Sequence, residues 1–178
     1  MKKLKLLLVL ISFSTITKSQ IHFGVKAGLN LANQRFDSTS NTSYISHFNV
    51  GVLVSIPITK SLSLQPEFML SVQGYGEKYN DTSYRVTYGY FLLPILLKYS
   101  LNPGVFAEMG PQFGMSVNKL WYRQPFDFSW TFGVGYKLPV NLGVDLRYNL
   151  GLSNIEKNFG FKAYNSVFQF DLFYLFGK

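Results

Sequence analysis

Cysteine is absent from this 178-residue chain, which excludes disulfides, thiolate metal sites and a lipid-modified cysteine. Histidine is nearly absent: His22 and His47 are the two present, so a transition-metal centre would have to be built mainly from carboxylates. No spacing of Asp and Glu suggests one, and no cofactor is expected. Charge is sparse as well, with 9 Asp and Glu against 17 Lys and Arg, and the basic residues are scattered rather than clustered, which argues against a nucleic-acid partner. After residue 20 no apolar run approaches the ~20 residues of a membrane-spanning helix. If the chain enters a membrane, it must do so as a closed β-barrel.

The first residues have their own character. Lys2, Lys3 and Lys5 precede an apolar run from Leu6 to Phe13, followed by small and polar residues. The run is too short to span a bilayer, and the pattern predicts a cleaved signal peptide over residues 1–19 with a domain over residues 20–178. Cleavage between Ser19 and Gln20 would remove Lys2, Lys3, Lys5 and Lys18 and bring the formal charge from +8 to +4.

What the chain has in quantity is Phe (17), Tyr (12) and Gly (15), a mixture that suits strands and tight turns. The clearest pattern is Asn141 to Leu152. Leu142, Val144, Leu146, Tyr148, Leu150 and Leu152 share one parity, and Gly143, Asp145, Arg147, Asn149 and Gly151 share the other. A period of two predicts a β-strand with an apolar and a polar face. Asp145 and Arg147 between glycines suit a small polar lumen, with lipid against the apolar face. A one-residue slip would put Arg147 into hydrocarbon at about 2 to 4 kcal/mol.

The same alternation recurs along the chain. It predicts strands at Ile21–Ala32, Tyr44–Ile56, Leu62–Gly74, Ser83–Tyr99, Val105–Ser116, Phe128–Leu138, Asn141–Leu152 and Val167–Phe176. The connections alternate: polar segments 33–43, 75–81, 118–127 and 153–164 are expected as long loops, and those near Pro57, Asn102 and Pro139 as tight turns. The predicted fold is therefore all-β, an eight-stranded antiparallel up-and-down transmembrane barrel. A soluble barrel would need the opposite facing. Pro66, Pro94 and Pro111 each remove a ladder donor, so bulges that could reverse the facing are expected there.

Five segments, Gly24-Val-Lys-Ala-Gly-Leu-Asn, Leu64-Gln-Pro-Glu-Phe, Leu93-Pro-Ile-Leu-Leu-Lys-Tyr, Glu108-Met-Gly-Pro-Gln and Asp145-Leu-Arg-Tyr-Asn-Leu-Gly-Leu, resemble the PorT-like outer-membrane β-barrel family of Gram-negative bacteria. The resemblance implies a place in the bacterial outer membrane, no shared catalytic site and, through the family's name-giving member, a link to protein secretion. The chain departs from the family at Leu92, where an acid is common.

The inner parity carries Lys26, Glu67, Lys98, Glu108, Lys137, Asp145, Arg147 and Asp171, whose formal charges sum to zero. They are expected to form a lumen charge network in which neighbouring strands pair their charges across the lumen, Lys98 between Glu67 and Glu108 and Arg147 against Asp145 and Asp171. An interior of eight strands is only wide enough for its side chains. The reading is a monomeric, non-enzymatic structural or interaction protein, surrounded by outer-membrane lipid including lipopolysaccharide and meeting a protein partner at its extracellular loops. Two alternatives stand beside it: a narrow channel for small solutes or ions, and a lipid-modifying outer-membrane enzyme using His47 with a Ser and an acid at the loop end.

Overall fold

A computed structural model describes residues 20–37, 42–79, 82–118, 121, 123–157 and 160–177. The expected signal peptide at 1–19 lies outside them. The strands are β1 (His22–Phe36), β2 (Thr42–Ser43), β3 (Ile45–Pro57), β4 (Leu62–Tyr79), β5 (Thr82–Ser100), β6 (Val105–Ser116), β7 (Phe126–Lys137), β8 (Leu142–Gly151) and β9 (Ala163–Leu175). All pairings are antiparallel. Around the sheet the order is β4, β3, β1, β9, β8, β7, β6, β5, and β5 pairs back to β4, so the eight long strands close on themselves. β2 is a two-residue stub on β4, pairing Thr42 with Glu77.

The facing follows the predicted parity. Phe23 is 62% exposed, and Leu29, Val52, Phe68, Met109, Leu146 and Phe170 are also open on the outside. Inside, Arg147 is 2% exposed, and Lys26, Glu67, Asp145 and Asp171 are likewise buried. Apolar side chains out and charges in is the arrangement lipid demands, and a closed ladder pairs the backbone groups of its strands without water. Aromatic rings sit near both ends of the outer surface. Tyr174 and Phe176 pack edge to face at the turn end, and Tyr44, Tyr148 and Phe168 cluster toward the loop end.

Two expectations are corrected. The prolines make no bulges: β4 and β5 pair as Pro66 with Ile95 and resume as Met69 with Leu92, leaving two residues on each side of the gap. β5 and β6 likewise run from Pro94–Gln112 to Leu97–Met109. A missing donor interrupts the ladder without inserting a residue, so the register and the facing survive. The second correction concerns the polar segment 75–81. It is mostly strand, because β4 and β5 continue as a hairpin to Tyr79 opposite Thr82, leaving a two-residue connection, 80–81, outside the described residues. β1 and β9 also run on together, Phe36 pairing with Ala163. At the β4/β5 tip Glu77, Ser83, Tyr84 and Arg85 are all exposed, so ladder hydrogen bonds and not an apolar alternation hold the extension.

Candidate functional site

The inward side chains stack in layers along the barrel axis. The central layer is ionic. Arg147 on β8 donates from both terminal guanidinium nitrogens to the two carboxylate oxygens of Glu67 on β4, each at 2.7 Å, and from Nε to Glu108 Oε1 on β6 at 2.6 Å. Asp145 Oδ1 lies 3.1 Å from the same Nε. β4 and β8 stand four strands apart in either direction around the eight-stranded ring, so the bidentate pair spans the diameter of the lumen. Lys26 on β1 completes the layer, with Nζ 2.6 Å from Asp145, 3.5 Å from Glu67 and 3.7 Å from Asp171.

Glycine provides the room for this layer. Gly133 pairs with Glu108 on one side and Arg147 on the other, and a Cβ there would lie 3.0 Å from both Arg147 Cγ and Glu108 Oε1. The missing side chain lets the guanidinium pass over β7 to reach Glu108. Forked charge-assisted bonds of this kind are among the strongest a protein makes, and their low-dielectric setting makes either partner costly to remove.

Three of the expected network charges are placed differently in the structure. Asp171 does not meet Arg147; its Oδ1 accepts from Asn49 and its other oxygen faces Lys26. Lys98 sits opposite Glu108 in the ladder but leaves it to Arg147, and its ammonium turns toward the turn end, 3.4 Å from the Phe106 ring centroid and 4.5 Å from that of Phe173. Lys137 is exposed at the turn-end mouth and takes no part in the buried layer. The shortest ion pairs thus join strands that are not neighbours, β8 with β4, β8 with β6 and β1 with β8, while Lys26 and Asp171 face each other from adjacent strands. Parity states which residues point inward but not how far a long side chain reaches.

On the loop side of the ionic layer lies a layer of amides and hydroxyls. Thr131 donates to Asn149, Asn149 to Gln169, and Gln169 to Asn30, which also accepts from Asn49 and donates to Ser71. These side chains are buried, and the chain of bonds satisfies groups that would otherwise be costly inside the barrel. On the turn side, Leu53, Phe106, Phe173 and Leu175 form an apolar collar.

A second charged cluster, at the loop end, was not anticipated. Arg123 lies in the connection between β6 and β7, where the backbone bridges to Glu156 in the connection between β8 and β9. Its guanidinium sits 3.6 Å over the Tyr88 ring, donates to the Tyr90 hydroxyl at 3.3 Å and lies 3.4 Å from Glu156 Oε1. Burial pushes the Glu156 carboxyl above its ordinary range against the opposing pull of Arg123. Below them Asp127 accepts from Ser153 and Asn165, each at 2.8 Å, and Ile155 is fully buried. Two loops thus fold inward over the mouth. Nothing periodic marks Arg123 or Glu156, and their polar surroundings in the sequence suggest only exposed loop. His47, the candidate base of the enzyme alternative, has Nε2 3.3 Å from the Thr87 hydroxyl.

The sequence matches no curated protein. Among solved structures the fold is similar to the outer membrane protein OprG from Pseudomonas aeruginosa, at 10% identity and TM-score 0.53 over 88% of this chain and 96% of that one. It is also similar to Ail, the attachment invasion locus protein of Yersinia pestis, at 12% identity and 0.51 over 89% and 100%. Neisserial surface protein A gives 13% identity and 0.50 over 89% and 100%. At these identities the likeness is one of fold, that of small outer-membrane barrels. The profile of the outer membrane protein beta-barrel domain matches residues 12–157, most of the chain, and with the closed lipid-facing ladder this makes the protein a member of that family, resident in the bacterial outer membrane.

Proposed function

We propose that the protein is a closed, monomeric, non-catalytic barrel that acts as a structural or interaction protein through its loop end. The observation that carries this reading is the Arg147–Glu67 pair across the full lumen, backed by Lys26, Glu108 and Asp145, with no exposed side-chain surface on Glu67, Glu108 or Asp145. An ion path would need water around those charges, whereas here each carboxylate has a cation against it. On this reading the lumen serves stability, and the loop end, where Trp121 is 77% exposed and Phe126 is also prominent, serves recognition.

The PorT-like resemblance supports a protein partner belonging to a secretion assembly, with the loops among lipopolysaccharide, both termini in the periplasm, and residues 1–19 removed as a signal peptide. The test is site-specific photocrosslinking in the native membrane, with the photoreactive residue at position 121 and, as a lipid-facing control, at position 172. A discrete protein adduct at 121 and lipid adducts alone at 172 are expected. Lipid adducts alone at both positions would overturn the interaction reading.

A further inference from the structure

The lumen is not filled to its turn end. Beyond the apolar collar a polar vestibule of about 220 Å³ opens between β3, β4, β5, β7 and their turns. Its lining includes Lys60, Lys98, Lys137 and His22 together with the hydroxyls of Ser63 and Ser100, and contains no Asp or Glu among the described residues. Every carboxylate of the ionic layer is engaged by Lys26 or Arg147, and none of them lines the vestibule. The vestibule is therefore a one-sign basin within an interior that otherwise pairs its charges.

Lys98 gives the basin its focus. It is 8% exposed, and among the described residues no carboxylate lies within 4.0 Å of its ammonium. Among the described residues its one hydrogen-bond acceptor is Gln65 Oε1, at 3.4 Å. An ammonium has three donors, and the Phe106 and Phe173 faces stabilise the cation while leaving the remaining donors for a ligand. Ser63 stands beside Lys98 in the ladder, on the same inward parity. A buried cation with no carboxylate in contact is costly, and an anion entering from the mouth would offset that cost. At roughly 30 Å³ per water, the space suits a phosphate-sized anion with part of its water shell.

We propose that this vestibule is a phosphate-binding site, with Lys98 at its base, Lys60 and Lys137 at its rim, and serine hydroxyls between them. The phosphate could belong to a free solute or to the headgroup of an anionic lipid folded over the rim.

The test uses the folded, isotope-labelled barrel in maltoside micelles, which carry no phosphate, titrated with sodium phosphate at constant ionic strength while the amide resonances of Ser63 and Ser100 are followed. Saturable shifts are expected at both. Lys98→Met should weaken binding by about tenfold or more, the effect of losing a charged hydrogen bond, and Lys60→Gln with Lys137→Gln should weaken it less. In phosphatidylglycerol nanodiscs, a headgroup ligand would already occupy the site and abolish the titration, whereas a free-phosphate site would titrate as in micelles; either result supports the proposal. No saturable shift in micelles would overturn it. If Lys98→Met does not fold, the rim double variant carries the test, and unchanged affinity in that variant would likewise overturn the proposal.

Discussion

Arg147 and Arg123 are both buried arginines facing carboxylates, yet they are held in opposite ways. Arg147 projects from a strand in the middle of the barrel, bonds two carboxylates at 2.6 to 2.7 Å and has a third beside it. Arg123 projects from a loop, meets one carboxylate at 3.4 Å and rests mainly on a tyrosine ring. The strand arginine ties together elements that are already covalently and hydrogen-bond constrained, so its geometry is fixed before its charges meet. The loop arginine must hold its own segment in place. Ionic contacts at the centre are therefore part of the fold, and those at the mouth are a latch on it.

The largest effects are expected at the centre. Arg147→Ala leaves Glu67 and Glu108 buried without their main cation, and unfolding stability in detergent, read by denaturant titration, should fall by about 3 to 5 kcal/mol. Replacement by Lys should recover only part of this, because a point charge cannot bridge two carboxylates with a fork. Next comes Gly133→Ala, whose added methyl presses on both Arg147 and Glu108. A loss of about 1 to 3 kcal/mol is expected, with a barrel that still assembles and still migrates differently when heated and unheated.

These two effects fall on residues whose roles were legible in unequal degree. The inward position of Arg147 and of all four acids follows from the alternation alone, because a lipid-facing charge is too costly to allow the other parity. Gly133 too is on the inner parity, but its purpose is visible only once Glu108 and Arg147 flank it in register. The partner choices were not legible. Lys98 has Glu108 as its ladder neighbour and still turns away, because the competition for that carboxylate is decided by Arg147, two strands further round. The mouth was illegible for a different reason: Arg123 and Glu156 sit in segments without periodicity, and only tertiary packing over Tyr88 and Tyr90 brings them together.

At the mouth the effects should be smaller and local. Arg123→Ala removes the stack over Tyr88, and amide exchange in residues 152–157 should quicken by an amount equivalent to about 0.5 to 2 kcal/mol, without change in global unfolding. Glu156→Gln should move the same exchange by a few tenths of a kcal/mol at most. The folded carboxyl holds its proton more tightly than the unfolded one, so the loop loses stability as pH rises through that titration, and the amide, which cannot ionise, removes the pH dependence.

Planar-bilayer recording of the wild-type barrel beside Arg147→Ala tests directly that the ionic layer closes the centre of the lumen and leaves no pore. A silent wild type and a variant that is markedly less stable are expected. Stable single-channel currents from the wild type, shifted in ion selectivity by Arg147→Ala with no loss of stability, would contradict it, since a charge removed without penalty was already solvated by water.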